Sequence, residues 1–160
     1  MRATLGHLGL AAALVLTASA MPAQAEERLD RMMAGESWLQ GKELDAAIAT
    51  ADAHPLGSEA NPVRVTAPQG QRAYLARQRC SNGKAPTFFR RGNVGEGPFG
   101  NIVDLYIVTC DGAEPAESMV YMDMYHGGFM EKRPLPGFAG SPPPLPAPEK
   151  VPEAASNPRG

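Results

Sequence analysis

The chain has 160 residues, is 43% hydrophobic and 20% charged, and carries a formal net charge of −2. That is apolar material for one modest domain, and a mildly acidic total excludes a protein that holds nucleic acid by bulk charge.

Arg2 precedes an apolar run from Leu8 to Ala20, and Ala23-Gln24-Ala25 closes it with small residues at alternate positions. A positive start, a short apolar stretch and a small-x-small end form a secretory signal peptide, with cleavage expected after Ala25. The run falls short of the ~20 apolar residues of a spanning helix, so no transmembrane segment is expected in the mature chain. The expected location is periplasmic or extracellular. With no cysteine near the cleavage point, no lipid anchor is expected there.

Residues 26–53 carry helical spacing, Leu29, Met32 and Met33 first, then Leu44, Ala47, Ile48 and Ala51. Gly35 and Gly41 divide them into two short helices, with Ser37 as N-cap of the second and Pro55 beyond its end. Trp38, the single tryptophan, is expected to anchor this part to a sheet. Val63–Thr66 reads as a short strand. Ala73–Cys80 is ambiguous, and the Asn82-Gly83 turn signal after it favours a strand, in a hairpin with Ala85–Arg91. Gly92, Gly95, Gly97 and Gly100 make a glycine-rich turn, Ile102–Cys110 is the clearest strand, and Ser118–His126 is the next.

These readings give an α+β fold: short N-terminal helices packed on a small antiparallel β-meander. The domain is expected to span residues 26–133, with a helical part over 26–53 and a β-rich part over 54–133. From Pro134 onward, nine of 27 residues are proline, which predicts a disordered tail over 134–160. Pro142–Pro146 has the composition of a polyproline ligand, and a spacer is the simpler reading. Cys80 and Cys110, an even count in an oxidising destination, are expected to form a disulfide.

Charge is laid out in blocks. Residues 60–95 hold seven basic groups and no acid, and residues 96–131 hold seven acids and no base. Either basic and acidic strands lie side by side, or the basic block faces an anionic partner. Cancellation between neighbouring blocks favours the first. Gly95–Gly100 matches GxGxxG by letter, but β-rich sequence follows it where a dinucleotide site needs a helix. A loop presenting Gly95 and Gly97 amides beside Arg90 and Arg91 is a candidate anion site.

Met122, Met124 and His126 share one face of the expected strand, and Met130 follows close by. Thioether and imidazole ligands suit copper(I), the alternative reading; methionines filling a sheet core are the plainer one. Asp123 and His126, three residues apart, would point to opposite faces of a strand, which argues against a catalytic pair and hence a small hydrolase.

The segments His54–Ser58, Asn61–Arg64, Ala73–Arg77 with Arg79-Cys80, and Asn101–Asp104 leading to Cys110 resemble small uncharacterised exported bacterial proteins. The resemblance spans about residues 54–110 and implies a disulfide-closed exported domain with no assigned activity. The functional expectation is a non-enzymatic accessory or binding domain, with a protein or an anionic cell-envelope component as its partner.

Overall fold

A computed structural model describes residues 23–139. The apolar leader and the stretch from Gly140 onward, with Pro142–Pro146, lie outside the described residues. The elements run α1 (Ala23–Met33), α2 (Gly41–Ala51), β1 (Val63–Thr66), α3 (Ala67–Ala76), β2 (Thr87–Glu96), β3 (Ile102–Thr109), β4 (Glu117–Asp123) and β5 (Tyr125–Met130). The α+β class holds, as five strands in one mixed sheet ordered β2-β3-β4-β1-β5.

The expected meander is β2-β3-β4, antiparallel throughout, with Thr109 opposite both Thr87 and Glu117. β1 joins β4 in parallel, Val63 beside Met122 and Arg64 beside Asp123, and β5 runs antiparallel on the far side of β1. Alternation along β1 and β4 then sets two faces. Val63, Val65, Val120 and Met122 meet Tyr74, Leu75, Tyr106 and Val108 in the main core. Arg64 and Asp123 face the other way.

Four expectations are corrected. Ala73–Cys80 is not a strand, because α3 occupies Ala67–Ala76. Pro68 suits the first turn of a helix, and Gly70, Gln71, Tyr74 and Leu75 are buried at helical spacing. The buried glutamine hid that apolar stripe. The Asn82-Gly83 turn forms, with Gly83 at φ +81° and its amide bonded to Cys80 O at 2.8 Å, but it joins α3 to β2. The expected strand over Ser118–His126 breaks at Met124, where the chain rounds the end of β1: Ala67 N donates to Met124 O at 2.8 Å. Ser37 does not cap α2. Gln40 holds that position without a side-chain bond, and Ser37 is buried against the sheet.

The Cys80–Cys110 disulfide is present and ties the segment after α3 to the end of β3. The packed part continues past the expected boundary at residue 133. Leu135 and Phe138 enter the core, and Ala139 N donates to Arg79 O at 2.8 Å. Proline content hid two large apolar anchors. α1 buries no side chain, leaving Leu29 and Met33 57% and 81% exposed. Its attachment is Arg28, which bonds the Glu96 carboxylate and Gly100 O and lies 5.6 Å from the Trp38 ring centre.

Candidate functional site: a cleft between α2 and the β1–β5 edge

Trp38 fixes the position of α2. Its amide donates to Asn101 Oδ1 at 2.8 Å, and its ring rests on Gly100, where an added Cβ would come within 2.7 Å. α2 therefore stands away from β1 and β5 and leaves a cleft of about 640 Å³ between them. One wall carries Leu44 and Ile48, and the other carries Arg64, His126 and Phe129. The size falls within the roughly 300–1,000 Å³ of small-molecule sites.

Arg64 is the cation of this cleft. Its guanidinium lies 4.7 Å from the Phe129 ring centre and 5.7 Å from that of Phe99, both within cation–π range. No carboxylate among the described residues lies within ion-pair distance of it. Burial lowers its pKa from the ordinary arginine value, while Glu131, Asp52 and Asp123 act on it in the opposite sense. A guanidinium stays charged under such shifts.

Behind Arg64 runs a buried polar chain. Asn101 spends both amide hydrogens on it, one to Ser37 Oγ at 3.0 Å and one to Asp123 Oδ2 at 2.9 Å. Asp123 Oδ1 accepts from the Tyr125 amide at 2.9 Å, and Oδ2 lies 3.2 Å from His126 Nε2. That last contact is short but out of line for a hydrogen bond, and Nε2 is buried without a hydrogen-bond partner among the described residues. The expectation that Asp123 and His126 face opposite ways is therefore corrected. The break at Met124 resets the alternation, and the His126 ring packs edge-on to Phe99 at 5.2 Å.

The same break divides the methionine–histidine set. Met122 is buried in the main core and Met124 packs against it; His126 turns to the Asp123 face, and Met130 is 45% exposed beside Val65. Of the candidate anion loop, Arg90 Nη2 is bonded to Asp104 Oδ1 at 2.6 Å, and that hydrogen bond raises its pKa. Gly97 donates its amide to Asn101 O at 2.8 Å, and a Cβ there would meet Val103 at 2.3 Å. Its glycine serves close packing. Arg91 is exposed and Gly95 is partly buried on β2.

Sequence reasoning missed Arg64, Asn101, Phe129 and the role of α2 in the cleft. Only Arg64 carried a signal: in Val63-Arg64-Val65 it alternates with two core valines, which puts a cation on the opposite face. The geometry thus defines a small disulfide-closed α+β domain with an open cleft, apolar on one side and cationic on the other. No family model, curated protein or solved structure matches the chain. None of the described helices is long and apolar enough to cross a membrane.

Proposed function

We propose that the chain is an exported, non-enzymatic binding domain whose cleft holds a small anion on Arg64. The observation carrying this reading is a half-buried guanidinium, flanked by two aromatic rings and with no carboxylate at ion-pair distance among the described residues, in the wall of an open cleft. A desolvated cation of this kind gains a charge-assisted bond when an anion arrives. Arg90, already bonded to Asp104, gains less. Export rests on the leader-like first 25 residues and agrees with the disulfide. α1 begins at Ala23, so cleavage after Ala25 would trim its first turn and retain Arg28, which holds Gly100.

Titrating the isotopically labelled chain with butyrate tests the reading by nuclear magnetic resonance. Shifts are expected at Arg64, Gly127 and Phe129, and Arg64→Gln removes them. Shifts centred on Arg90 and Arg91, or shifts indifferent to Arg64→Gln, overturn it.

A further inference from the structure

The wall facing Arg64 narrows the ligand. Leu44, Ala47, Ile48 and Ala51 recur at helical spacing along α2, yet only Ala51 is buried. Leu44 and Ile48 are half-buried in the cleft wall, one helical turn apart. An amphipathic helix ordinarily turns such a stripe onto a core. Here the stripe faces an open cleft, with Phe129, itself 39% exposed, on the opposite wall. A helix held off the sheet in this way leaves room for an apolar body between them.

The charge is equally selective. The cleft lining contains one arginine, one carboxylate (Glu36) and His126. Glu131, Asp52 and Asp123 add negative potential at Arg64 from outside the first contact, and Arg133 offsets part of it. One guanidinium in that field suits a single negative charge better than the two of a phosphate monoester. Leu44 and Ile48 give the wall opposite Arg64 an alkyl surface along α2, with the polar Glu36, Ser37 and Gln40 confined to the segment that precedes the helix.

We propose that the occupant is a medium-chain alkyl carboxylate, its carboxylate on Arg64 and its chain along Leu44 and Ile48. This rests on the reading of the cleft as an anion site. Calorimetric titration of the disulfide-intact mature chain with butyrate, hexanoate, octanoate and decanoate tests it. Octanol and inorganic phosphate serve as the uncharged and chain-free probes. Affinity is expected to rise about two- to fourfold per methylene up to octanoate, following the cost of leaving each methylene in water. Octanoate should bind at least ~10-fold more tightly than octanol, as a charge-assisted bond predicts. Ile48→Ser should flatten the chain-length series, and Arg64→Gln should bring octanoate down to octanol. Unaltered Trp38 emission and thermal midpoint establish that each variant is folded.

Phosphate binding as tightly as octanoate, with no dependence on chain length, overturns the alkyl carboxylate while leaving the anion site standing. Octanol equal to octanoate, with both indifferent to Arg64→Gln, overturns the anion site as well. A concentration-dependent dimer that dissociates in Ile48→Asp shows a second copy covering α2 and also overturns the proposal.

Discussion

Glu131 shows how one buried carboxylate closes the structure beside the cleft. It follows β5, and its amide donates to Arg64 O at 3.1 Å, so it holds the backbone of the residue assigned to the anion. Its Oε1 accepts from the amides of Lys132 and Arg133 at 2.9 and 3.0 Å, and its Oε2 accepts from Arg133 Nη2 at 2.8 Å. Burial pushes its pKa up, but the bonds from Arg133 and Lys132 outweigh that and hold it below its ordinary value of 4.5. A depressed carboxylate contributes stability that is present above its unfolded pKa and is lost as pH falls through the folded one. Urea unfolding followed against pH should therefore show a loss of stability beginning near 4.5 and growing below it. Glu131→Gln should cost about 2 kcal/mol at neutral pH and shrink that acid-side loss. Glutamine keeps an oxygen for the two backbone amides, so the cost comes from the lost charge and from an NH2 group placed against Arg133 Nη2. An unchanged acid arm in Glu131→Gln would assign the loss to another group.

The turn between β2 and β3 links the sheet to α2 at the scale of elements. Gly100 combines a φ of +76° with a Cβ position 2.7 Å from Trp38 Cδ1, so a side chain there is strained and also displaces the indole. Gly100→Ala is expected to destabilise the domain by about 1–3 kcal/mol. It should also shift Trp38 emission to the red and weaken octanoate binding by moving α2 off its seat. Normal stability with unaltered emission would show that Trp38 does not position α2. The sequence made β3 legible, since nine apolar-rich residues without a breaker have few other readings, and it made the two N-terminal helices legible through glycine punctuation. α3 was illegible because Gln71 occupies a fully buried position, bonding Asp104 at 3.1 Å and accepting from Tyr106 at 3.1 Å. No periodicity count treats such a glutamine as core. The parallel β1–β4 pair and the break at Met124 were hidden for a related reason: they depend on partners 59 residues apart, Val63 with Met122 and Arg64 with Asp123. The cleft inherits that difficulty, since Leu44, Arg64 and Phe129 meet only once β1 has been inserted beside β4.

For the whole molecule, the block layout of charge and the disulfide act on the same assembly. The basic block ends in β2 and the acidic block supplies β3, and Arg90–Asp104 at 2.6 Å joins the two across the ladder. Charge pairing of this kind helps choose which strands neighbour one another, yet with Arg90 half exposed to water its pair with the buried Asp104 adds modest stability. The disulfide contributes more. It closes a separation of 30 residues that takes in the Asn82-Gly83 turn, all of β2 and all of β3. In the chain-entropy account a loop of that length contributes roughly 3–4 kcal/mol by restricting the unfolded chain. That is a large share of the ~5–15 kcal/mol typical of a domain. Cys80→Ala/Cys110→Ala should therefore lower the unfolding free energy by about 3 kcal/mol, read by urea unfolding under non-reducing conditions. The cleft lies at the opposite end of β3, beside Asn101 and Asp123, so octanoate affinity should survive wherever the double variant remains folded. A variant that keeps its full stability would show that the β2–β3 ladder and the Leu135–Phe138 anchor hold this end unaided. One that stays folded but loses octanoate would show that the two ends of the sheet are coupled.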